Sequence, residues 1–80
     1  MGSYLSEEFT IAPIRRILKK QGEFKISEEA AEEMRRAVGE AAIRIAEAAA
    51  ENTRKDNRKT ILERDIRYAI NKERDREPKL

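Results

Sequence analysis

The chain contains no histidine and no cysteine. Their absence removes the commonest general base and the best side-chain nucleophile. Disulfides and thiolate metal sites go with them, and the redox compartment cannot be read. Tryptophan is also missing, and aromatic residues make up only 5% of the 80 positions, so large side chains for a core are scarce. No apolar run approaches the ~18 residues of a membrane span, and no signal-peptide apolar stretch is present. The chain is therefore expected to be soluble and intracellular. Carboxylates are plentiful, but they fall where helix faces meet solvent, and neither a glycine-rich phosphate loop nor metal-ligand spacing appears. The reading is of a protein that is not an enzyme and takes no metal, no cofactor and no small-molecule substrate.

What the chain does have is charge. Lys, Arg, Asp and Glu account for 42% of the residues, yet the net charge is only +2. A mixed charged surface of this kind resembles those of heat-adapted proteins. The distribution is blocky. Between Pro13 and Lys25, five bases (Arg15, Arg16, Lys19, Lys20, Lys25) face Glu23 alone, a local charge of +4. Between Ser27 and Asn52, seven acids outweigh Arg35, Arg36 and Arg44, for −4, and Thr53 to Ile61 returns to +3. Two basic blocks flank an acidic middle, and a fold that joined them would carry a field well beyond that of the net charge.

Periodicity predicts short helix, loop, long helix, loop, short helix, with neither an internal repeat nor a domain boundary. Residues 1–9 read as an arm, with Tyr4, Leu5 and Phe9 available for packing. Thr10 is placed to cap a first helix running to about Lys20, with Pro13 tolerated in its first turn. Ile11, Ile14, Leu18 and Gln21 follow helical spacing, and Ile17 widens the stripe. Gly22 stands where a left-handed C-cap is expected. Ser27 caps a central helix reaching about Thr53, and Glu28 and Glu29 favour its positive end. Its expected buried stripe is Ala30, Met34, Ala37/Val38, Ala41, Ile45 and Ala48/Ala49. Gly39 lies near its midpoint, either for close backbone contact or merely tolerated on a solvated face. Such a helix is ~40 Å long, more than two short helices can cover. A second copy is the expected remedy, with Met34, Val38, Ala41 and Ile45 at the dimer core. Thr60, followed by Glu63, reads as the capped start of a third helix with Ile61, Leu62, Ile66, Ala69 and Ile70 on its apolar side. Residues 72–80 form a charged extension that either prolongs this helix up to Pro78 or frays.

Two constellations carry chemistry. Thr60 at a helix start, beside Lys59, can hold a phosphate oxygen. Arg58, seven residues before Asp65, can fold back as a bidentate partner, a structural role favoured over DNA contact. Of Arg15 and Arg16, one must point away from the core. There it serves equally as a solvated cation or as a minor-groove arginine.

These residues also carry a resemblance. Ile11-Ala12-Pro13-Ile14-Arg15-Arg16-Ile17-Leu18-Lys19, then Gly22, then Ile26-Ser27, and finally Arg58-Lys59-Thr60-Ile61 with Asp65-Ile66 and Ala69, resemble an archaeal histone over residues 10–71. The resemblance implies an all-α histone fold, a head-to-tail intertwined homodimer in which DNA bends around a convex basic face. It places the minor-groove arginine at Arg16, the first-loop base at Lys25, phosphate contacts at Lys59 and Thr60, and the stabilising pair at Arg58 and Asp65. Lys19 is a further candidate, and Arg15 adds charge where the family often has a small residue. Lys25 replaces the usual Arg and loses its fork, and Phe24 adds an aromatic to that loop. Family dimers join further near Asn52, Thr53 and Lys55, frequently through a His that this chain lacks, so assembly to tetramers or beyond is an open expectation. The implied function is compaction of double-stranded DNA without sequence preference, in the cytoplasm on the chromosome or nucleoid. The competing readings are a histone-fold interaction module, transcription-factor-like or centromere-subunit-like, that pairs with a different histone-fold chain or self-assembles with weak or no DNA wrapping, and a monomeric three-helix bundle that binds RNA or nothing.

Overall fold

The computed structural model describes residues 9–76. Three helices follow in order: α1 (Ile11–Lys19), α2 (Glu28–Lys55) and α3 (Glu63–Arg76), with no strand among the described residues. Residues 1–8 of the expected arm, with Tyr4 and Leu5, lie outside the described residues, as do residues 77–80 with Pro78. Of the two readings open for the charged extension, continuation of the helix holds as far as Arg76.

At 28 residues, α2 is ~42 Å long, and its ends show why it forms. The Ala30 N–H donates to Ser27 Oγ at 3.0 Å, a cap worth about 1 kcal/mol. Glu28 and Glu29 occupy the first turn and Arg54 and Lys55 the last, each matching the dipole. Along its exposed surface, Arg35 meets Glu32 at 2.7 Å, and Arg36 meets Glu33 and, at 3.0 Å, Glu40, pairs that support a helix by their spacing. The far end closes on Asn57, which takes φ 58°. The Arg58 N–H reaches Thr53 O at 3.2 Å and the Asn57 N–H reaches Arg54 O at 2.9 Å, the Schellman pattern of a left-handed stop.

The chain divides inside α2 into two compact units, Met1–Ala41 and Ala42–Leu80, where composition marks no boundary. In the first unit, Ile14 and Ala31 are buried. Arg35 Nη1 donates to Phe9 O at 3.4 Å, and Arg15 Nη1 reaches Ile26 O at 3.5 Å. In the second, Ala49, Thr53, Asp65 and Ala69 are buried, and Arg44 Nε donates to Glu73 at 2.7 Å. Asp65 is the largest fully buried side chain among the described residues. Among the described residues, a single chain thus lacks a core of large apolar groups. Ile17, Phe24, Ile61, Leu62, Tyr68 and Ile70 are exposed instead.

Four expectations need correction. Gly22 has no positive φ; α1 unwinds through Lys20 N–H to Arg16 O and Gln21 N–H to Leu18 O, with Gly22 N–H reaching Lys19 O. A β-carbon there would sit 2.8 Å from Phe24 Cε2, so the glycine makes room for a ring rather than for a left-handed turn. Thr10 has extended geometry at the N-cap of α1, but its side chain makes no capping bond. The buried stripe of α2 begins at Ala31, not Ala30, which is exposed. Helix α3 begins at Glu63 rather than Thr60. Gly39, for which two readings stood open, is buried.

Candidate nucleic-acid interface

Two sets of cations among the described residues contrast. Arg35, Arg36 and Arg44 on α2 each hold a carboxylate within 3.0 Å. The bases of α1 and the first loop hold none: among the described residues Arg15, Arg16, Lys19, Lys20 and Lys25 form no ion pair, and all but Arg15 are exposed. The two neighbouring arginines diverge. Arg15 is half-buried and turns to the Ile26 carbonyl, which leaves Arg16 as the one pointing outward. Arg15, Arg16, Lys19 and Lys20 rim a shallow groove of about 480 Å³ whose apolar lining is Ile11 and Ala12. Helical spacing gathers them, since positions three and four apart share a face.

The second loop is built around Asp65. Arg58 reaches it through two bonds, Nη2 to Oδ1 at 2.8 Å and Nη1 to Oδ2 at 3.0 Å. The Leu62 N–H donates to Oδ2 at 2.7 Å, and Asn52 Nδ2 donates to Oδ1 at 2.8 Å. The Arg58 guanidinium, then the Leu62 N–H and the Asn52 amide hold the Asp65 carboxyl well below the usual carboxylate range, against the opposing effect of burial. Asp65 in turn raises Arg58 above its ordinary value, with Asp56 adding to it. Arg58 Nη1 also donates to Thr60 O at 3.0 Å. These bonds explain the later start of α3. Asp65, on its first turn, accepts the N–H of Leu62 and so makes Leu62 the cap, leaving Thr60 in the preceding bend. Lys59 and Thr60 are exposed on this braced loop, and Lys59 has no carboxylate partner among the described residues. Asn52 belongs to the network without any signal in the sequence. Its bond spans 13 positions, and no local spacing announces it. Met34, Val38, Ala41 and Ile45 are each half-buried.

Both loops, then, carry exposed, uncommitted cations, whereas Arg35, Arg36 and Arg44 along α2 are occupied. The family described as histone-like transcription factor (CBF/NF-Y) and archaeal histone matches residues 7–70. The chain belongs to this family. It is similar to one of the subunits of the archaeal histone HAN1 from Thermococcus zilligii, with 38% identity over 63 residues that span 79% of this chain and 94% of the relative. No solved structure matches it. Membership gives the three-helix chain its histone fold, a histone-like role in DNA binding and association with chromosomal DNA, in a family that is structural rather than enzymatic. Among the described residues, no helix is long and apolar enough to cross a membrane and no acidic cluster is arranged to hold a metal ion.

Proposed function

We propose that this chain is a histone-fold homodimer that binds double-stranded DNA without sequence preference and compacts it by bending or wrapping. The observation that carries the reading is the division of cations. Arg16, Lys19, Lys25 and Lys59 are free of carboxylates among the described residues, whereas every arginine of α2 from Arg35 to Arg44 is engaged. Unpaired cations on a helix and two loops suit phosphates, which position a duplex without reading its bases. Homodimerisation is supported by the thin core of one chain, whose largest fully buried side chain is a carboxylate. Clasped head to tail, two copies would set Lys25 of one beside Lys59 and Thr60 of the other, and the paired first helices would carry Arg16 toward a minor groove.

The test is a gel shift on duplexes of unrelated sequence with Arg16→Ala plus Lys59→Ala. Four DNA-facing cations are removed per dimer, two at the minor groove and two at phosphates, so the slope of log affinity against log salt flattens by up to about 3.6 units. Weakening is uniform across sequences. An unchanged affinity and slope would sink the proposed DNA face.

A second reading is favoured by two observations. The matching family includes transcription factors, and the similar archaeal histone chain is named as one subunit of its protein. On that reading, this chain pairs with a different histone-fold chain. Light scattering of the pure protein separates the two: a stable dimer supports the first, and an unfolded or aggregating chain that is rescued by a partner supports the second.

A further inference from the structure

One ion pair in the second loop has no place in the bracing of Asp65. Arg64 Nη2 lies 3.8 Å from Asp56 Oδ2, with the two side chains 64% and 57% exposed. That distance is too long for a hydrogen bond, and exposed pairs of this kind contribute little. Both charges also stand at the helix ends that disfavour them. Asp56 directly follows Lys55, the last residue of α2, and Arg64 is the second residue of α3. A carboxylate at a helix C-terminus and a guanidinium at an N-terminus each oppose the local dipole. Helix stability therefore accounts for neither. Asp56 is not needed to hold Arg58 either: it accepts one bond from Arg58 Nη2 at 3.1 Å, while Asp65, fully buried, holds the same guanidinium through both oxygens.

We infer that Arg64 is a further phosphate-contacting residue of the second loop, and that Asp56 restrains it by competing with the DNA backbone for its guanidinium. The inference rests on the proposed DNA-binding function and deepens it. Without DNA, Arg64 leans on the only carboxylate of the Asp56–Thr60 turn, beside the exposed Lys59. When a phosphate approaches that turn, Arg64 exchanges a loose carboxylate contact for a charge-assisted one. Asp56 then faces the duplex with one fewer cation against it and lowers affinity. The second loop thus carries its own brake on binding strength, set by a residue that touches no DNA favourably.

A double-mutant cycle on a mixed-sequence duplex, read as affinity across a salt series, tests this. In Arg64→Ala, affinity falls several-fold and the salt slope flattens by about 0.9 for each phosphate no longer neutralised, about 1.8 for a dimer; Arg64→Lys restores the slope. In Asp56→Asn, affinity rises several-fold, and most of that gain disappears when Arg64 is also alanine. Neither substitution lowers the melting temperature, because Asp65 still holds Arg58 and each removes a charge that opposes its helix dipole. A slope unchanged by Arg64→Ala, or strictly additive effects of the two substitutions, overturns the inference while leaving the proposed function standing. Failure of the unmodified chain to bind duplex at low salt overturns both.

Discussion

If the proposed homodimer forms, truncating Ile45 to alanine measures how much of its stability comes from the second copy. Ile45 lies in the C-terminal half of α2 and is only half-buried in one chain. Ile→Ala removes three carbons, worth about 2.4 kcal/mol when fully buried at ~0.8 kcal/mol each, and roughly half that if the side chain stays half-exposed. In a dimer the loss is taken twice, so unfolding to two separate chains becomes about 5 kcal/mol easier per dimer. Because folding and association are one step in such a system, this weakens the dimer by roughly three to four powers of ten. Urea unfolding followed by far-ultraviolet circular dichroism, repeated over a wide range of protein concentration, reads both effects. The midpoint rises with concentration for the unmodified chain, and Ile45→Ala lowers it at every concentration. A midpoint independent of concentration, with a loss near 1 kcal/mol per chain, would refute the reasoning.

Other outcomes follow from the loops. Asp65 titrates in the folded chain well below its ordinary value, so the folded state holds the ionised form more tightly than the unfolded chain does. Its contribution is therefore complete above the unfolded pKa of about 3.9 and is lost as the pH falls from there toward the lower folded value. Chemical denaturation across that window shows a stability that declines with acid, and Asp65→Asn flattens the decline while lowering stability at neutral pH. Gly22→Ala changes stability by less than about 1 kcal/mol, since φ is not positive and the Phe24 ring it would meet is free to swing into solvent. Asn57→Ala, by contrast, must hold φ 58° without a side chain suited to it, and costs about 1 kcal/mol or more in the same assay. Equal effects at the two positions would contradict the assignment of the left-handed stop to Asn57 alone.

The fold was legible because its strongest signals are local. Ser27 announces the start of α2 by residue type and position, and the charge pairs along α2 sit at spacings that only a helix brings together. The pairing of Arg58 with Asp65 could be anticipated because seven positions across a turn is a short fold-back. Local preference fails where a nonlocal group overrides it. Thr60 is a better cap than Leu62 by residue type, yet the Asp65 carboxylate, already oriented by Arg58 and Asn52, takes the Leu62 N–H and moves the helix start. Gly22 has the residue type of a left-handed stop, while in the structure the exposed Phe24 ring simply occupies the space its missing β-carbon leaves. The phase of the buried stripe slipped by one residue at Ala30 and Ala31, since a run of alanines offers no contrast between faces. For the interface, sequence located the cations but could not separate the engaged from the free. That distinction depends on which carboxylates the helices bring within reach, as Glu73 does for Arg44 across 29 positions.

On the proposed function, two chains hide together what one leaves in water and thereby gather their unpaired cations on a shared surface. Sedimentation of the full chain at low micromolar concentration and below, with circular dichroism on the same samples, tests this most directly. A helical species of twice the chain mass, giving way on dilution to single chains that have lost their helicity, is the predicted result. A helical species with the mass of one chain at every concentration would contradict it.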